Sequence, residues 1–338
     1  MCRVNSKPIT AIDPKPVVMG AVAAGVMFGL ASATGYTVSN AFLKSVSHLD
    51  PVFVSGVKCI PTVLVCAPWL LWRRMSGKKI GLEWSYLWKI VLVSTLSQIA
   101  GNVAFQWALG VVGMALSVPL TMGTIILSGA TLGALCLGEK VELLNSISMI
   151  ILIVAIGVLS FGTDDASRSV VGTETAVPFW KLAAAVGCVM SAGLSYGILG
   201  VVLRFGLKGS GSAPSLMMVV GTVGIVTLIP WALATIPVEK MLATSSADLW
   251  NMAGASIGNI LAFVALTKAL QLTTLLHVNL LNASQVAMAA VAGTVIFNEA
   301  KSVPLIAGVL LTIVGLTLMR PANSKQENEP EKDPEELK

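Results

Sequence analysis

The chain carries the same passage twice. Gly101-Asn102 opens an apolar run that ends at Leu137-Gly138-Glu139, and Gly258-Asn259 opens another that ends at Phe297-Asn298-Glu299. One more apolar span follows each glutamate, 147–161 and 305–319, and there each repeat stops. Each half reads as five membrane crossings. Five is odd, so the second half must enter the bilayer from the opposite face and lie antiparallel to the first. Antiparallel membrane repeats are the architecture of alternating-access carriers, with a binding site near the midplane between the halves. The repeat is imperfect. Gly101 and Gly258 are 157 apart, whereas Glu139 and Glu299 are 160 apart, which places a three-residue insertion near 268–274.

Composition agrees with a membrane class. The chain is 55% hydrophobic and 12% charged, whereas soluble domains carry about 25% charged residues. A bilayer core about 30 Å thick needs about 20 apolar residues per helix. The expected spans are 17–43, 52–72, 88–109, 111–137, 143–161, 179–203, 214–236, 250–270, 273–297 and 303–319. Membrane β-strands would be shorter and strictly alternating. The fold class is therefore all-α integral membrane, ten transmembrane helices as two inverted five-helix repeats. Its parts are a cytoplasmic segment 1–16, a first repeat 17–161, an external linker 162–178, a second repeat 179–319 and a disordered cytoplasmic tail 320–338. That tail is rich in Glu, Lys, Pro and Asn and has no apolar content to fold with. The first apolar stretch is too long for the core of a cleavable signal.

With the N-terminus inside, sixteen Lys and Arg fall in cytoplasmic segments and five in external ones. The asymmetry puts both termini in the cytoplasm, and a bacterial inner or other plasma membrane suits the chain best. The basic residues punctuate apolar spans instead of forming a patch, so no nucleic-acid partner is expected. The expected partners are a small solute and the lipid bilayer, and a homodimer stays open. Five cysteines without paired spacing predict neither a disulfide framework nor a metal site.

Polar groups deep in hydrocarbon normally face the bundle or a wet cavity. In the third span Gln98, Asn102 and Gln106 recur every fourth residue, forming one stripe at the helical period. Tyr36 and Asn40 form a similar line in the first span. The fourth carries Ser117, Thr121, Thr124, Ser128 and Thr131 on one face. Two readings stay open for these stripes, a cavity wall or helix packing in which hydroxyls bond their own carbonyls. Pro119 removes a backbone donor and predicts a break in the fourth span. In the second half the corresponding stretch holds His277, Asn279, Asn282 and Gln285. His277 is the one mid-span group whose ordinary titration lies near neutral pH, and no span has a central carboxylate, so it is the candidate for proton coupling. Lys58 is the one cation well inside a span; it either binds an anion or snorkels outward.

Gly193-Leu194-Ser195-Tyr196-Gly197 matches the G-x-S-x-G of serine hydrolases, but it lies inside an apolar span. A hydrolase would need His277 to reach Ser195, and the same glycines read as a packing face. Neither a catalytic residue nor a cofactor is expected.

The residues also carry a resemblance. Asp50-Pro51 followed by Lys58, then Pro119, Leu137-Gly138-Glu139 and Gly157, resemble the drug/metabolite transporter superfamily and its EamA-type members. In the second half Glu299 and Gly315 fit, while Asn279 replaces the proline and Asn298 the glycine. The resemblance implies a carrier of small metabolites with a cavity lined by spans 1–4 and 6–9. Sugar-phosphate and nucleotide-sugar exchangers share that architecture, but phosphate binding is expected to need several Lys or Arg inside the spans, and Lys58 stands alone. Outside the carriers, the competing reading is a membrane scaffold or sensor.

A cysteine placed at Ser167, in a background lacking native thiols, is expected to react with impermeant reagent from the external face. Labelling from the cytoplasmic face would overturn the odd-repeat topology.

Overall fold

The computed structural model describes residues 19–78, 80–138, 143–161, 178–208, 211–298 and 302–318. The segments 1–16 and 320–338, Glu139, Glu299 and all of the linker except Pro178 lie outside the described residues.

Among these residues the protein is helical, without strands. We number the long runs α1 (Met19–Ser45), α2 (Pro51–Met75), α3 (Trp84–Val112), α4 (Met114–Leu137), α5 (Leu143–Ser160), α6 (Phe179–Lys208), α7 (Ala213–Thr235), α8 (Ser246–Leu272), α9 (Leu275–Ile296) and α10 (Val303–Thr317). Seven of them, α2–α4 and α6–α9, are long and apolar enough to cross a bilayer. The apolar parts described in α5 and α10, Ser146–Ala155 and Ile306–Gly315, are shorter. α1 has 27 residues, about 40 Å at 1.5 Å per residue. Outward faces carry bare apolar side chains such as Leu64, Val226, Leu261 and Val295, which hydrocarbon suits and water does not.

Helix starts follow local chemistry. Asp50 Oδ1 accepts from the Val52 and Phe53 amides at 2.8 and 3.2 Å, with Pro51 in the first turn. Ser212, Ser245 and Thr274 cap α7, α8 and α9 in the same way. Each cap accepts from amides that have no partner inside the helix. At the other end of α4, Gly138 turns left-handed at φ 66. Asn298 does the same after α9 at φ 52. Asparagine is the side chain that best tolerates this conformation after glycine, so the departure from the family's glycine at Asn298 preserves the turn.

The principal packing joins one half to the other: α1 with α8, α2 with α7, α3 with α6, α4 with α6 and α9, and α5 with α10. Glycines set the approach. Gly25 opens toward Leu272 and Thr273, Gly35 toward Ala262, and Gly254 toward Phe42, so α1 and α8 run antiparallel. Gly56 opens toward Leu228 and Gly221 toward Thr62, making α2 and α7 antiparallel too. Gly193 faces Thr121 and Thr124 while Gly197 faces Ser128, so α4 and α6 run parallel. Ser39 Oγ donates to the Ala255 carbonyl at 2.8 Å across the α1–α8 crossing, and Ser148 Oγ to that of Gly315 at 2.6 Å between α5 and α10. Small residues and hydroxyls at crossings are what helices use to associate in lipid, where burial supplies little drive. The main apolar cluster takes Leu43, Val54, Phe105, Met122, Met252 and Val286 from six helices of both halves.

One expectation is corrected. α4 passes through Pro119 without interruption, as α2 does through Pro61 and Pro68 and α7 through Pro230, each proline giving up one backbone donor while the rest of the helix holds. The irregularities lie elsewhere. α3 contains a π-helical segment at Ser97–Val103, and α9 breaks between Asn282 and Gln285. π segments often mark functional sites.

Gly258→Val is expected to lower stability in detergent by about 1–3 kcal/mol, the usual scale of overpacking. Its Cβ would sit 3.1 Å from the Gly35 carbonyl oxygen and the Ser39 amide, whereas a Cβ at Gly187 meets nothing within 4 Å. Gly187→Val is the control, and equal thermal shifts for the two would contradict the packing described.

Candidate functional site

Where the two halves meet, eight helices leave a cavity of about 180 Å³. Its walls come from α1–α4 and α6–α9 and leave out α5 and α10, the same set that the resemblance implies. Of the candidate residues, Tyr36, Asn40, Lys58, Gln98, Asn102, Thr121, Asn279, Asn282 and Gln285 are brought together on its lining.

A hydrogen-bonded chain organises one wall. Lys58 Nζ donates to Asn102 Oδ1 at 2.7 Å, and the Tyr196 hydroxyl donates to the same oxygen at 2.8 Å. Asn102 Nδ2 donates to Gln98 Oε1 at 2.6 Å, and Gln98 Nε2 to the Val220 carbonyl at 3.1 Å. Asn102 and Gln98 both belong to the π segment of α3. Gly101 lies between them, and a Cβ there would come within 2.8 Å of the Tyr196 ring, so glycine admits the tyrosine. Gly224 makes similar room for Gln98, at 2.8 Å. Lys58 is 7% exposed and is the one charged side chain on the described lining. Its ammonium is held inside by an amide, which answers the snorkelling alternative.

A second set of amides comes from α9. Asn282 Nδ2 donates to its own helix at Val278, and Gln285 Nε2 to Asn282 Oδ1 at 3.3 Å, across the break in the helix. Asn279 is 6% exposed, and its Nδ2, seated beside Gly129, has no acceptor among the described residues.

Four candidates fall outside the lining: Gln106, Ser117, Thr124 and His277. Gln106 lies one turn further along the stripe, at the end of α1. There its Nε2 donates to the Leu43 carbonyl at 3.1 Å, while Lys44 Nζ donates to that of Leu109 at 3.3 Å. These carbonyls belong to the last turns of α1 and α3, where carbonyls lack intrahelical donors. Thr121, Thr124, Ser128 and Thr131 all donate to carbonyls of α4 itself, and Thr124 and Ser128 face glycines of α6. Ser117 is fully buried. His277 is buried at 3% exposure, and its backbone amide is capped by Thr274. His277 is not among the residues that line the cavity. Ser195 Oγ donates to the Ala192 carbonyl of its own helix at 2.9 Å.

Tyr196, Asn259, Cys59 and Thr62 also line the cavity and were not among the candidates. One had a signal in the sequence. Asn259 is the repeat of Asn102, and both line the cavity.

Residues 23–161 and 183–320 each match the EamA-like transporter family. The chain belongs to the EamA-like transporter family. It is thereby a member of the drug/metabolite transporter superfamily and, with its apolar helices, an integral multi-pass membrane protein. No curated protein matches the EamA-like chain. A solved structure described only as a crystal structure of a protein is similar in fold, with TM-score 0.62 and 12% identity over 88% of this chain and 96% of that one.

Asn102→Leu leaves the Lys58 ammonium without its acceptor and is expected to cost about 2–3 kcal/mol in detergent unfolding. Adding Lys58→Met to that variant should restore part of the loss. Additive losses in the double variant would mean the contact carries no coupling.

Proposed function

We propose that this EamA-family protein is a secondary carrier that moves a small organic solute by alternating access. Ten crossings in two halves of opposite orientation expose the cavity to one face of the membrane and then to the other. The observation that carries this reading is the cavity itself. It lies between the halves, is bounded by four helices of each, and gathers polar side chains that lipid cannot serve. The pairwise directions support the inversion. α1 opposes α8, the repeat of α3, where a directly repeated half would set them parallel.

The contacts between halves suit a rocking motion. They include glycine crossings, apolar side chains of both halves and single hydroxyl bonds such as that of Ser39, together with the His48–Asp248 contact at 3.4 Å. α5 and α10 pack on each other outside the cavity and flank the moving parts. The π segment and the break in α9 put irregular backbone at the site, where carriers place it.

The test is a solute panel screened by thermal stabilisation, with each hit carried into proteoliposome exchange. Asn259 lines the cavity, so Asn259→Trp is expected to fill it and reduce exchange at least about tenfold, while unfolding stays within about 0.5 kcal/mol of wild type. Full exchange in that variant, or a panel with no stabilising solute and no exchange, would overturn the carrier reading.

A further inference from the structure

We propose that the solute is an organic monocarboxylate, held by its carboxylate at Lys58 and by a neutral polar group at the other end against the amides of α9. This rests on the carrier reading. The first ground is charge. Lys58 lines the cavity at 7% exposure, with no carboxylate beside it on the described lining. An ammonium has three donors, and the one acceptor the structure gives it is the Asn102 oxygen, already shared with Tyr196. Removing an ammonium from water costs several kcal/mol unless an opposite charge or further hydrogen bonds answer it. A carboxylate supplies both.

The same charge sets the limit. One cation neutralises one anion. A phosphate ester or dicarboxylate would bring a second negative charge into a wall that offers only neutral groups and apolar surface. An amine would meet the ammonium as a like charge. Those chemistries are rejected by electrostatics alone.

The second ground is the polar face of α9. Asn279, Asn282 and Gln285 line the cavity from that helix, whereas the Lys58 chain lies on α2, α3 and α6. A carbonyl or hydroxyl oxygen on the solute suits amide donors there. The rest of the lining includes Phe105, Met122, Leu199 and Phe263, which suit an apolar body. The complementary molecule therefore has a carboxylate, an apolar body and a polar far end.

The experiment uses the full chain in liposomes, with aliphatic and aryl monocarboxylates bearing a distal hydroxyl or keto group. Each acid is paired with its primary amide, its amine analogue and its dicarboxylate. The acids are expected to exchange about tenfold or more faster than all three counterparts, the scale of one charge-assisted hydrogen bond. Lys58→Gln should erase that preference, and Lys58→Arg should keep it. Asn279→Leu should slow solutes with a polar far end more than the same acids without one. Should Lys58→Gln fail to fold, Lys58→Arg with the wild-type preference series decides. Amides moving as fast as acids, or another class moving in place of acids, overturns the monocarboxylate while leaving a carrier. Exchange of no solute of any class overturns the carrier reading along with it.

Discussion

Hydrocarbon offers no hydrogen-bond partner, and this rule sorts most of the described polar side chains within the helices. A hydroxyl can return to a carbonyl one turn back, and Thr37, Thr121, Thr124, Ser128 and Thr227 do so. An amide or an ammonium has too many donors for its own helix to serve. Those groups must meet across helices or border water, and in this chain they collect where the halves face each other. The cavity gathers amides and the ammonium from the helices that line it.

Close approach of the backbones makes that gathering workable. Gly35 and Gly258 let α1 and α8 touch main chain to main chain, Gly193 and Gly197 seat α6 on the hydroxyl face of α4, and Gly101 lets Tyr196 reach Asn102. The stripes that alternate between packing and cavity thus divide the labour. The hydroxyls of α4 mostly pack against α6, and Gln98 and Asn102 of α3 line the cavity with Asn279, Asn282 and Gln285 of α9. Both roles follow from residue type, since a hydroxyl satisfied at home presents a small, neutral surface for a neighbouring glycine.

The doubling and its helices were legible because a period of 157 to 160 residues and long apolar runs survive in the chain. The cavity was legible where amides or cations sat in apolar context, as at Lys58, Gln98, Asn102 and Asn279. Depth along a helix was not. Gln106 shares its face with Gln98 but reaches the end of α1, and helical periodicity records angle without recording what the neighbour offers at each height. His277 shows the same limit, being on a polar segment yet buried off the lining. Tyr196 was hidden by the hydrolase-like pentapeptide around it. Pro119 misled for a different reason, since a proline removes one backbone donor without ending a helix whose other bonds hold, as at Pro61, Pro68 and Pro230.

Alternating access is tested most directly by asking whether one cavity position meets both aqueous phases. Asn40 lines the cavity, and Asn40→Cys in a background without native thiols gives a single reporter there. In vesicles of known orientation, impermeant thiol reagent is expected to modify it from the external face and, in a separate sample, from the cytoplasmic face, with transported solute slowing both reactions. Modification from one face only, unchanged by solute, would contradict a carrier that opens its central cavity to each side in turn.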